Sequence, residues 1–378
     1  MARDMIEANT SFFGHVEQHA QRHGYGLTFK KLCIKTTNDE KQVLKHAKVL
    51  LPIKSYWGSV FGIAYADSLI IALVDVPESQ EIDVEPLEEM GLHAGYYTLV
   101  GASVDLFNVE VEQFGKAYDL LLNDMENHEL DIGGVRHIPA DVCHEFTRPV
   151  RLFMSQDWQE LSENEVNRLA ACIFSKCVNN NDDERRNFHE AVAGLCVNGR
   201  KVIPYDCVLN SVTSLGWKHT FLELYRCIEY LYGIPESKEL ANKFSEKTYA
   251  SDLLVELRGV IGWKPFELGA LTRLMKDISL DAVERLGLAL GCDEPDKPDV
   301  VSKSLYSLRN SVVHFRSGQE VKKLHEMNWG RICVELCEVI HLCYVAFESE
   351  INTETDEDEQ DSPDKGREVD VAEEGGVE

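Results

Sequence analysis

From Leu215 to Ser349 the apolar residues recur at the spacing of a helix face, which restricts the region to packed helices. In His219–Tyr232 the side chains Phe221, Leu224, Tyr225, Ile228 and Leu231 fall on one stripe. Ser251-Asp252 precedes another helix, and Pro265 stands where a first-turn proline starts the next. Asp281–Leu290 makes a short helix, Gly291–Pro298 a polar loop, and Val300–Phe315 and Met327–Glu348 the last two helices. Five or six helices joined by short loops imply a bundle over 215–349.

The first 150 residues follow a different pattern. Leu27–Thr36, Lys48–Ile53, Val60–Val76 and Tyr96–Val111 are rich in Val, Ile, Leu, Tyr and Phe, separated by Asp, Asn, Gly and Pro, as strands of a sheet are. Gly115–Glu129 switches to helical spacing through Tyr118, Leu121 and Leu122. The expectation for 1–150 is an α+β domain. Residues 130–160, with Pro139 and Pro149, read as irregular and as a boundary. A helical connector over 150–214 follows, with one helix opened by Ser162-Glu163-Asn164-Glu165 and another over Glu184–Cys196.

The net charge of −27 argues against broad RNA binding, because phosphate contacts need Lys and Arg. The tail from Ile351 holds 12 acidic and 2 basic residues, and the body is acidic without it. Any RNA site must therefore be a small local patch of positive potential. The tail, 350–378, has too little apolar content to offset its ordering entropy and is expected to be disordered. The 11 cysteines form no Cys-x-x-Cys pair, which fits reduced thiols in a cytoplasmic protein. Met1–Gln21 lacks the basic start and apolar run of a signal peptide. The longest apolar stretch, Phe61–Val76, contains Asp67 and Asp75, is too short to span a bilayer, and reads as buried strands.

Chemistry concentrates on Val301–Phe315. On a helical wheel Val301, Leu305, Leu308, Val312 and Phe315 make a buried face, and the opposite arc carries Tyr306, Arg309, Asn310 and His314. Asn310 and His314, four apart, are expected side by side. Cleaving RNA by attack of the 2′-hydroxyl on the adjacent phosphate needs a base, an acid and a cation for the developing charge. Histidine can supply the first two, arginine the third, and Asn310 can orient the imidazole or the phosphate. Neither a metal nor another cofactor is needed.

The text Leu305-Tyr306-Ser307-Leu308-Arg309-Asn310-Ser311-Val312-Val313-His314 resembles the motif of ribonuclease-type HEPN domains: Arg, a polar residue, then His four to six residues after the Arg. Phe221–Glu229 is similar to the first amphipathic helix of several such domains. The resemblance covers about 215–349 and implies a helical domain acting as a homodimer, with the Arg and His of both protomers lining one cleft. It implies a metal-independent endoribonuclease of toxin or antiviral-defence type. Arg309, Asn310 and His314 would be catalytic, and Arg226 and Tyr306 would contact RNA. A conditional ribonuclease needs a control element, so the N-terminal domain is expected to answer to a trigger or an antitoxin. The alternative is a HEPN-like module that binds a nucleotide or protein partner without cleaving.

Other constellations have blander readings. Cys333, Cys337 and His341 recur every fourth position, but their apolar neighbours mark the cysteines as core residues. Arg185-Arg186-Asn187-Phe188-His189 imitates the motif with Arg186 and His189 three apart, and reads as an exposed helix start. Glu223, Arg226 and Glu229 read as a surface ion-pair row. Phosphate-loop, dinucleotide, nucleophile-elbow and zinc-protease signatures are not in the sequence.

Overall fold

The computed structural model describes residues 5–22, 24, 32–55, 58–76, 84, 86–106, 135–145, 147–155, 161–177, 182–243, 249–314, 324 and 326–351. The expected helix over Gly115–Glu129 and the expected disorder of the tail beyond Ile351 lie outside these residues. An α+β region precedes a helical one, and the chain divides into two compact units. Unit 1 holds Met1–Tyr232 and Pro265–Ala346; unit 2 holds Gly233–Lys264 and Phe347–Glu378.

Unit 1 is organised by a five-stranded antiparallel sheet. Its strands are β2 (Lys48–Ser55), β3 (Gly58–Tyr65), β4 (Ser68–Val74), β7 (Val150–Ser155) and β5 (Glu88–Met90), side by side in that order. The run Val60–Val76, read as buried strands, is a hairpin of β3 and β4. Ala66 adopts φ 49° at its turn, and Asp75, with φ 69°, follows the end of β4. Phe61, Ile63, Ile70, Ala72, Val74, Val150 and Leu152 face one core. Their alternates Val60, Leu69, Ile71, Leu73 and Phe153 are buried as well. Burial on both faces accounts for the nearly continuous apolar text.

One face is covered by α1 (Met5–Arg22), α2 (Asn38–His46) and α3 (Ala94–Ser103), through Phe12, Phe13, Val16, Val43, Tyr97, Leu99 and Val100. The N-terminal stretch is thus a core helix. The strand expected over Tyr96–Val111 is instead α3 as far as Ser103. Ala94–Gly101 are all buried, so no helical period shows in the sequence. A small parallel pair, β1 (Leu32–Ile34) and β6 (Arg136–Ile138), lies in the same region. Among the described residues of 130–160, β6, α4 (Ala140–His144) and β7 stand where an irregular boundary was expected.

The other face of the sheet meets α5 (Glu163–Cys177), where Val166 stands against Gly62 and Phe174 against Gly58. Arg151 of β7 lies on this face and makes two 2.7 Å bonds to Glu89 of β5. Next come α6 (Asp183–Asn198), α7 (Tyr205–Thr213) and α8 (Trp217–Glu229). α5 packs on α6 and α7, and α7 on α8. Unit 1 continues through positions 150 and 214 without a break. It is completed by α11 (Glu267–Lys276), α12 (Leu280–Leu290), α13 (Pro298–Val313) and α14 (Trp329–Phe347), whose last residue falls in unit 2. Unit 2 contains α9 (Ile234–Ala241) and α10 (Ala250–Ile261), and Lys238 reaches Glu350 at 3.0 Å. α10 starts before the Ser251-Asp252 pair expected to precede it.

Arg185 and His189 correct the reading of an exposed helix start. They lie four apart on α6 at 3% and 2% exposure. Arg185 stacks 3.7 Å from the Trp217 ring centroid and donates to the Leu215 carbonyl at 2.8 Å. Burial first, and the charge of Arg185 second, lower the His189 pKa to about 4. Among the described residues no helix is long and apolar enough to cross a membrane.

Two outcomes are expected. A Cβ at Gly101 would stand 2.3 Å from the buried ring of Phe12, so Gly101→Ala should cost about 2 kcal/mol in denaturant unfolding by forcing α1 off α3. His189 stays neutral in the fold to about pH 4 but protonates near pH 6.5 when unfolded. Its contribution is complete above 6.5 and is lost as pH falls toward 4, by about 2–3 kcal/mol at pH 4.5. His189→Gln should flatten that acid loss. A stability difference between variant and wild type that is the same at pH 7 and pH 4.5 would refute it.

Candidate active site

α13 opens with Pro298 in its first turn and Asp299 near its positive end, both favourable there. Val301, Ser302, Leu305 and Leu308 are buried, and the helix packs on α11, α12 and α8. Val312 is only half-buried, and Phe315 lies outside the described residues. The opposite arc carries Arg309 toward the C-terminal end of α8. That end is anchored from α14, where the Tyr344 hydroxyl donates to the Cys227 carbonyl at 2.9 Å.

Arg309 does not stand alone on a polar arc. Its Nη2 lies 2.8 Å from Oε1 of Glu229, the last residue of α8, and Nη1 donates to Oδ1 of Asn310 at 3.1 Å. The guanidinium carbon is 5.9 Å from the centroid of the Tyr225 ring. One turn before Glu229, the Tyr225 hydroxyl meets that of Tyr232 at 2.7 Å. Glu267, in the first turn of α11, adds a second carboxylate to the field around Arg309. Thus Arg309 has carboxylates for company.

The charges follow from this packing. Burial pushes the Glu229 carboxyl above its ordinary value and Glu267 adds to the rise, while Arg309 pulls the other way. Burial works against the Arg309 charge, but Glu229 and Glu267 more than offset it, so its pKa is raised. Both members of the pair are about one-quarter exposed. Burial also raises the hydroxyl pKa values of Tyr225 and Tyr232.

His314 is not on the helix. α13 ends at Val313, and His314 is its C-cap, with extended backbone (φ −101°, ψ 100°) and an N–H that still bonds the Asn310 carbonyl at 2.8 Å. The side-by-side arrangement of Asn310 and His314 is therefore corrected: the asparagine oxygen takes the guanidinium, and the imidazole projects from an exposed helix end. Tyr306 is half-buried, one turn earlier on α13. Arg226 is exposed and bonds both oxygens of Glu223, at 2.8 and 3.0 Å. The expected ion-pair row on α8 is thus split, because Glu229 turns to Arg309 instead.

Cys333 and Cys337 are buried core residues. Among the described residues no group of three or more His, Cys, Asp or Glu is placed to hold a metal ion. The chain matches no protein-family model, no curated protein and no solved structure.

Removing Arg309 would leave Glu229 half-buried beside Glu267 without its cation. Arg309→Ala is therefore expected to cost about 1–2 kcal/mol, whereas the exposed His314→Ala should cost almost nothing. In a double-mutant cycle, adding Glu229→Gln to Arg309→Ala should recover part of the loss. Strict additivity in urea unfolding would show that the pair is not coupled.

Proposed function

We propose that the chain is an endoribonuclease that cleaves by 2′-hydroxyl attack without a metal, with Arg309 and His314 as its reacting groups. The observation that carries this reading is the last turn of α13: a charged guanidinium held in place by Glu229 and Asn310, followed five residues on by an exposed imidazole. His314 would take the 2′ proton or deliver one to the departing 5′-oxygen, and Arg309 would stabilise the charge on the phosphorane. Asn310 helps to hold the guanidinium. Arg226 and Tyr306 would meet flanking RNA.

A single imidazole cannot be acid and base in one step, so the working site would join two copies across a two-fold axis through the bundle. Pairing also concentrates positive charge that the acidic body otherwise lacks. The free cysteines fit a reducing, cytoplasmic setting. The resemblance to HEPN ribonucleases supports a conditional toxin or defence enzyme whose N-terminal region answers to a trigger or an antitoxin. A second reading, a bundle that binds a nucleotide or protein without cleaving, draws on the ion pair with Glu229, which gives Arg309 a structural partner.

Mixed-sequence RNA should be cleaved in EDTA to products with 2′,3′-cyclic phosphate ends. His314→Ala and Arg309→Ala should each lose at least about a hundredfold in rate. A mixed dimer of the two variants should recover a measurable fraction. Binding without cleavage by the wild type would favour the second reading, and an active monomer in sedimentation would rule out the shared cleft.

A further inference from the structure

We infer that Glu229 is the positioning residue for Arg309, setting the direction from which the guanidinium meets a phosphate; the inference rests on the ribonuclease reading. The position is electrostatically unfavourable for a carboxylate in three ways. It is the last residue of α8, where the helix dipole is negative; it is half-buried; and Glu267 lies in the same field. Arg309 is foremost among the groups that offset these costs, with Arg226 behind it. A carboxylate that breaks local rules for the sake of one contact points to that contact as its purpose.

The geometry fits the role. An unheld arginine samples many rotamers, whereas this one is fixed at both terminal nitrogens, Nη2 by Glu229 and Nη1 by Asn310. A guanidinium has five N–H donors, so others remain for a phosphate. The floor under it is rigid: Tyr225 is locked by its hydroxyl bond to Tyr232, and the α8 end that carries Glu229 is tied to Tyr344. Glu229 thereby transmits the packing of α8 to a side chain on α13.

The test uses the full chain. Glu229→Ala should lower kcat on a mixed-sequence oligoribonucleotide about 10- to 100-fold with little change in KM, the scale for a displaced catalytic group. Glu229→Gln keeps an oxygen acceptor at the same reach and should restore part of the rate, whereas the shorter Glu229→Asp should not. In parallel, the rate at which phenylglyoxal modifies Arg309 is read by peptide mass spectrometry. It should rise several-fold in Glu229→Ala and fall back in Glu229→Gln. This chemical readout needs no activity. If the wild type cleaves no RNA, the ribonuclease reading fails, and the modification rate still decides whether Glu229 holds Arg309. Unchanged modification of Arg309 in Glu229→Ala would overturn the inference. So would a wild-type kcat in a folded but less stable Glu229→Ala protein, which would leave the pair a merely structural role.

Discussion

The hairpin β3–β4 is buried on both faces, and the rest of unit 1 follows from that constraint. Strands with no solvent side need a layer of helix above and another below. The N-terminal helices α1–α3 supply one layer. α5 supplies the other, and it cannot stop there, because its outer surface must also be covered. α6 and α7 cover it, α7 then packs on α8, and α8 carries Tyr225 and Glu229 to Arg309. The sheet and the candidate site are thus joined by successive helix packings inside one unit. A boundary drawn from a change in sequence periodicity marks a change of secondary structure there, without marking a change of core.

Much of the helical region was legible because amphipathic helices print their period. Phe221, Leu224, Tyr225, Ile228 and Leu231 were expected on one stripe and are all buried. α3 was not legible for the opposite reason. With residues 94 to 101 all buried, its text carries no alternation of apolar and polar positions, and Tyr, Val and Leu without a period resemble a strand. β7 was hidden by Pro149 just before it and by Arg151 within it. The buried arginine is met by both oxygens of Glu89 of β5, distant in sequence. Local text cannot show a partner that the sheet brings in.

The same limit applied to the candidate site. Arg309, Asn310 and His314 are one local motif and were visible as such. Glu229, Tyr225, Tyr232 and Glu267 were not, because three helices must pack before they meet. The available clue was that Tyr225 and Glu229 are four apart, at the end of an amphipathic helix. Glu229 also stands three residues after Arg226, which fits a surface salt-bridge row equally well, and only the packing of α8 on α13 separates the two readings. The helix expected to run to Phe315 ends at Val313, and this matters because His314, its C-cap, keeps the ladder bond to the Asn310 carbonyl while its own backbone is already extended.

The chain also contains a comparison within itself. Arg185 and His189 are four apart, within the spacing that made Arg309 and His314 conspicuous, yet the two pairs have opposite environments. Arg185 is closed under Trp217, and His189 is held neutral in a core with its pKa lowered to about 4. An imidazole that cannot take up a proton near neutral pH, sealed from solvent, can neither accept a 2′ proton nor return one. His314 is exposed, and Arg309, although paired, keeps about a quarter of its surface open. A phosphate on an acidic protein can approach only where a cation is accessible and its neutralising partner is off to one side. α13 meets that condition because Arg309 leans back on Glu229 while the helix ends just beyond it. Both pairs fall within the spacing of four to six residues, so what qualifies α13 as the candidate is accessibility at a helix end.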